Sequence, residues 1–120
     1  ILGELSYPSS FAVDRHFETS LEELREKIDR IDNELLELLQ MRMDIVKEIG
    51  IEKAKNNVTA LQLNRLDQLL KKRTEQAKSH GLREEYIREL FSVIHDESVK
   101  KQTEIMHHHD WQENEAEKGE

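Results

Sequence analysis

Arg42 stands where an aliphatic residue belongs. Around it, apolar residues recur at Leu21, Leu24, Ile28, Ile31, Leu35, Leu38, Ile45 and Ile49. This 3/4 spacing is a sustained heptad seam, and position 42 falls on it. Farther along, Ser98 and Gln102 interrupt a second apolar stripe, Ile87, Leu90, Phe91, Ile94 and Ile105. A buried guanidinium is costly unless it is paired. Two structural roles account for such residues: Arg42 salt-bridges a Glu across a bundle, or the polar positions fix helix register. The chemical role is sharper. A guanidinium offers a two-pronged fork to a carboxylate, and a hydroxyl and an amide can orient neutral oxygens. The three residues would then surround a cavity for an anionic ligand. No Ser-His-Asp arrangement, metal-spaced His/Glu set or phosphate-binding Gly loop competes with that reading. His107-His108-His109-Asp110 is not expected to hold a metal, because adjacent residues on a helix point in different directions.

Helices must position these residues, since no strand-like alternation occurs anywhere. Thr19 or Ser20 can cap a first helix, with Glu22 and Glu23 in its first turn. Its seam runs from 21 to 49, and Gly50 is a plausible end or loosening point. Such a helix is about 43 Å long at ~1.5 Å per residue. A compact chain of this size has a radius of gyration of about 14 Å. The helix therefore protrudes, and its seam needs a partner chain, most simply a second copy. Asn56-Asn57 marks a loop. A second helix is predicted over 60–79 with Gly81 at its C′ position, and a third over 83–106. The expected architecture is all-α: three helices per protomer, the first one long, in an intertwined homodimeric bundle.

Composition agrees and narrows the function classes. The chain has 120 residues, 36% hydrophobic and 37% charged, with one Pro, four Gly and no Cys. That length suits one domain, and the apolar share makes a solitary core thin. The absence of Cys removes disulfides, thiolate metal sites and Cys nucleophiles, and fits a reducing, cytoplasmic setting. No apolar stretch approaches membrane-spanning length, so no membrane partner is expected. A net charge of −8 argues against a general nucleic-acid binder. Most of that charge sits at the ends. Residues 1–20, with Pro8 and Ser9-Ser10 and no helical period, read as a linker or the end of a preceding domain. Residues 21–106 form the domain, and 107–120 read as a disordered acidic tail. The chain begins at Ile1 rather than Met, which suits a piece of a longer protein.

Several short motifs are familiar in sequence and spacing. Leu24-Arg25-Glu26-Lys27-Ile28-Asp29 opens the series, and Ile28-Asp29-Arg30-Ile31-Asp32, Leu35-Leu36-Glu37-Leu38-Leu39 and Arg42 continue it. Ile49-Gly50 with Lys53 three residues beyond, Arg65, and Glu97-Ser98-Val99 with Gln102 complete it. Over residues 21–106 this resembles the all-helical, AroQ-class chorismate mutases. The resemblance implies an intertwined dimer whose long first helices span both active sites. It implies conversion of chorismate to prephenate by a [3,3]-sigmatropic rearrangement, in phenylalanine and tyrosine biosynthesis, with no cofactor and no metal. Catalysis then means holding the reactive diaxial conformer and stabilising charge that grows on the ether oxygen.

The resemblance also implies residue roles. Arg42 and Lys53 act in their own protomer's site, and Arg25 reaches into the partner's. Arg25 and Arg42 bind the two carboxylates, with Ser98 helping. Lys53 and Gln102 donate to the ether oxygen, and Arg65 supports the polar network. The sequence departs from the family at Gln62, where an acidic residue is usual, and at Leu66, where a Glu usually meets the ring hydroxyl. The segment Asn56-Asn57-Val58-Thr59-Ala60-Leu61-Gln62 resembles mutase domains fused behind a 3-deoxy-D-arabino-heptulosonate 7-phosphate (DAHP) synthase, which makes that enzyme an expected covalent partner. Two alternatives share the fold: an isochorismate-pyruvate lyase, and a non-catalytic or regulatory dimerisation domain.

Overall fold

A computed structural model describes the backbone of residues 2–118 and the side chains of residues 14–62 and 64–115. Residues 1, 119 and 120, the extremes of the two expected flanks, lie outside the described residues. Three helices account for the fold: α1 (Leu2–Lys55), α2 (Leu63–Ser79) and α3 (Glu84–Lys118). Among the described residues there is no strand, in agreement with the all-α expectation. The chain divides into two units, Ile1–Gln40 and Met41–Glu120.

The first unit is the N-terminal part of α1. Its helix begins well before the predicted cap, so residues 2–20, which show no helical period in the sequence, are helical. Thr19 does not cap: its Oγ1 donates to the Arg15 carbonyl at 2.9 Å, the bond a threonine makes inside a helix. Between residues 14 and 40 only Ser20, Leu21 and Leu39 are even partly covered. The apolar seam faces outward, with Leu24, Ile28, Ile31 and Leu38 each more than half exposed.

The second unit holds the core and joins the end of α1 to α2 and α3. Val46 and Ala54 of α1, Leu69 and Ala77 of α2, and Ile87 of α3 are its buried apolar residues. Gly50 is buried but does not end α1, contrary to expectation. A Cβ there would stand 3.2 Å from the Ile105 side chain and 3.3 Å from the Gln102 Cα. The missing side chain lets α3 lie against α1, and α1 runs on to Lys55. That extension places Lys53 on ordered helix. Gly50→Ala is therefore expected to destabilise. Helix propensity favours Ala by about 0.5–1 kcal/mol, but crowding a packed backbone costs about 1–3 kcal/mol. A lower denaturant midpoint at unchanged m-value is the expected result, and a raised midpoint would contradict this packing.

Both loops are set by left-handed residues. Gly81 has φ +68° and Asn57 has φ +54°. At the end of α2, Leu82 N–H donates to the Ala77 carbonyl at 2.9 Å and Gly81 N–H to Lys78 at 3.2 Å. At the end of α1, Val58 N–H donates to Lys53 at 2.9 Å and Asn57 N–H to Ala54 at 3.3 Å. These paired bonds are Schellman caps, and they answer the carbonyls a helix end leaves open. α2 starts at Leu63 rather than near Ala60. Its N-cap residue, Gln62, makes no side-chain capping bond, so its amide is not spent on the helix.

α3 also outruns expectation, continuing past Met106 to Lys118. Residues 107–118 of the tail read as disordered are helical. Glu, Gln, Ala and Lys in this segment are strong helix formers. His108 stacks with Trp111 at a 6.4 Å ring separation, and His109 Nε2 meets Glu113 at 3.7 Å. Both pairs follow the spacing of adjacent helical turns.

Candidate functional site

Within the second unit, three helix faces converge on a cavity of about 210 Å³. α1 contributes Arg42, Val46, Ile49 and Lys53, whose i, i+4, i+7, i+11 spacing keeps them on one face. α3 contributes His95, Ser98, Val99 and Gln102 by the same logic. Arg65 and Leu69 come from α2, with Gln62 and Ala60 from the chain before it. Leu69, at 1% exposure, gives an apolar floor. Six of the seven residues singled out in the sequence, Arg42, Lys53, Gln62, Arg65, Ser98 and Gln102, thus share one cavity. Arg25 does not line it. It lies in the first unit, in an exposed groove with Arg15, Glu18 and Glu22. Leu66 and Asp67 do not line the cavity either.

The electrostatics are one-sided. Arg42, Lys53 and Arg65 face the cavity, and no Asp or Glu lines it. Arg42 forms no salt bridge among the described residues; its Nη1 donates to Ser98 Oγ, which in turn donates to the Ile94 carbonyl at 2.9 Å. The alternative of Arg42 as half of an ion pair finds no acidic partner among the described residues of this chain. Lys53 Nζ donates to Gln102 Oε1 at 2.7 Å and to the Ala60 carbonyl at 2.9 Å. With its oxygen engaged, Gln102 keeps its amide nitrogen as a donor. Burial lowers the Arg42 pKa, and Arg73 and Arg65 lower it further. Burial and then Arg65 lower that of Lys53. These cations repel one another without a counter-charge, which is the state a bound anion relieves.

His95 is the polar lining residue that sequence reading missed. It sits one turn before Ser98 and two before Gln102, a spacing that could have revealed it, but Ile94 was assigned inward instead. It is 8% exposed, and its Nε2 is buried without a hydrogen-bond partner.

The histidine run also departs from expectation. His109 and Asp110 do share a location, not with their neighbours but with Glu113. Donor atoms of the three lie within 4.8 Å of one another, although Asp110 and Glu113 are exposed. No helix among the described residues is long and apolar enough to cross a membrane.

Comparison with known proteins follows this geometry. The chorismate mutase type II family matches residues 24–103. The bifunctional chorismate mutase/prephenate dehydratase of Escherichia coli K12 is 34% identical over 92 residues, covering 77% of this chain and 24% of that protein. Its counterpart in Buchnera aphidicola subsp. Acyrthosiphon pisum is 33% identical over 82 residues, 68% of this chain and 21% of that protein. The 4-amino-4-deoxychorismate mutase of Streptomyces venezuelae is 27% identical over 89 residues, 74% of this chain and 86% of that protein. The chain therefore spans less than a quarter of the length of these bifunctional relatives. Their second activity is a prephenate dehydratase, not the DAHP synthase expected from the Asn56–Gln62 segment.

Proposed function

The chain belongs to the chorismate mutase type II family, and we propose that it converts chorismate to prephenate in aromatic amino acid biosynthesis. The observation that carries this reading is the cavity with three cations, no carboxylate, and a Lys53–Gln102 pair at 2.7 Å. Chorismate is a dianion with an ether oxygen and a ring hydroxyl. Arg42, steadied by Ser98, takes a carboxylate, and Arg65 strengthens the positive field. Lys53 Nζ and the Gln102 amide donate to the ether oxygen, which gains charge as the C–O bond breaks. The rearrangement is unimolecular, so positioning and electrostatics suffice. Adding purified protein to chorismate should abolish its absorbance with formation of prephenate. Unchanged absorbance would overturn the reading, and parallel trials with isochorismate test the lyase alternative.

The relative from Streptomyces venezuelae raises a second substrate, 4-amino-4-deoxychorismate. Its amino group is cationic when protonated. A fourth positive charge in a cavity without carboxylates is unfavourable, and this favours the hydroxylated substrate.

We also propose that the working unit is a homodimer. The exposed seam of α1 supports this, as does a single-chain cavity of about 210 Å³, smaller than the ~300–1,000 Å³ usual for ligand sites. Arg25 of a second copy would then complete the cavity. The finer reading of residues 1–20 as the junction to a DAHP synthase rests on the Asn56–Gln62 segment alone; the mass of the native polypeptide tests it.

Gln102→Glu probes the donor role. An ionised Glu would repel the charge developing on the ether oxygen, whereas a protonated Glu still donates. Activity of this variant should rise as pH falls, where wild type shows no such rise. If Gln102 only packs within α3, the two profiles, measured on folded protein, will run parallel.

A further inference from the structure

A buried nitrogen with no partner is uncommon in a folded protein, because its lost hydration is not repaid. His95 Nε2 is such an atom, and His95 lines the cation-rich cavity from α3, one turn before Ser98. The charged groups around it are Asp96 on its own helix, Arg42 and Lys53 from α1, and Arg65 from α2. Burial lowers its pKa most. Asp96 raises it, and Arg42, Arg65 and Lys53 lower it again. The imidazole is therefore neutral near pH 7. A neutral imidazole competes poorly with two guanidiniums and an ammonium for a carboxylate. It suits a neutral group that both donates and accepts, such as a hydroxyl, in either ring tautomer.

We propose that His95 is a specificity-determining residue of this cavity, its Nε2 hydrogen-bonding the ring hydroxyl of bound substrate. The inference rests on the chorismate reading above and deepens it. With the carboxylates taken by the arginines and the ether oxygen by Lys53 and Gln102, the ring hydroxyl is the substrate's remaining polar group. The unpartnered atom and the unassigned hydroxyl answer each other. The hydroxyl contact then comes from α3, and Leu66, which does not line the cavity, has no part in it.

The test compares chorismate with an analogue lacking only the ring hydroxyl. His95→Leu keeps the apolar bulk and removes the nitrogen. For chorismate its kcat/KM should fall about five- to tenfold, the scale of one lost hydrogen bond in a buried site. For the analogue it should change less than about twofold. His95→Gln and His95→Asn form a second, polar pair. The Gln amide reaches the Nε2 position and should recover most of the activity on chorismate, whereas the shorter Asn should not. Equal losses on both substrates, no loss on either, or equal behaviour of the Gln and Asn variants would overturn the role of His95. Those results leave wild-type turnover of chorismate intact, and so leave the proposed function standing. Wild type that fails to consume chorismate would overturn both.

Discussion

Lys53→Ala is expected to lower kcat by about 10²–10³-fold, the scale for losing one preorganised donor to a developing anion. KM should move far less. The ether oxygen is a weak acceptor in the ground state and a strong one in the transition state, so the lost interaction is mostly a transition-state one. The Lys53 ammonium is already fixed by Gln102 Oε1 at 2.7 Å and the Ala60 carbonyl at 2.9 Å. Its orientation therefore costs little at the moment of reaction. Removing it also frees the Gln102 amide to rotate, so part of the effect is shared between the two residues. Burial and Arg65 hold the Lys53 pKa below the usual lysine value. The ammonium loses its proton as pH rises through that lowered value. The alkaline fall in kcat/KM for wild type, which reports the free enzyme, should come at lower pH than an ordinary lysine would give. Lys53→Arg, which stays charged, should abolish that alkaline limb whatever its residual rate. A Lys53→Ala variant with kcat near wild type, or one affected only in KM, would remove Lys53 from the chemistry.

What the sequence disclosed and what it hid divide along physical lines. The three helices followed from 3.6-residue periodicity, and the end of α2 from Gly81, whose φ of +68° is what a C′ residue needs. The grouping of Arg42, Ser98 and Gln102 followed from polar residues on apolar stripes. Their partners did not follow. The bond from Arg42 to Ser98 joins residues 56 positions apart, and only tertiary packing brings them together. Gly50 was misjudged because a glycine that ends a helix and one that admits a neighbouring helix are the same letter. The flanks were misjudged because Pro8, Ser9-Ser10 and a polar C-terminal run hide helical periodicity, whereas α1 and α3 run on through them. His95 was missed because Ile94, its neighbour, already filled the inward position of the apolar stripe. Arg25 is the opposite case. The sequence resemblance assigned it a role in a site that the single chain does not bring it to.

That absence leads to the sharpest expectation for the assembly. Arg25→Ala and Arg42→Ala chains should each be nearly inactive alone, and mixing them should restore activity. The two positions are 17 residues apart on α1, about 25 Å along a helix. One small dianion cannot touch both on the same helix. They can serve one site if a second chain runs antiparallel, bringing its Arg25 beside the first chain's Arg42. The exposed seam of Leu24, Ile28, Ile31 and Leu38 is the surface such a partner would cover. In a two-fold dimer every site takes Arg25 from one chain and Arg42 from the other. A mixed dimer of the two variants then holds one site with both arginines and one with neither. Random exchange of equal amounts makes half the dimers mixed, so about a quarter of wild-type activity should return. Dimers formed without exchange should give none, which supplies the control. Arg42 is the more demanding loss, since removing it also leaves Ser98 Oγ without its donor and the cavity short of a charge. If verified subunit exchange restores nothing, Arg25 does not act across chains. If the protein sediments as a folded helical monomer at micromolar concentration, the seam needs no partner and the two-chain site fails with it.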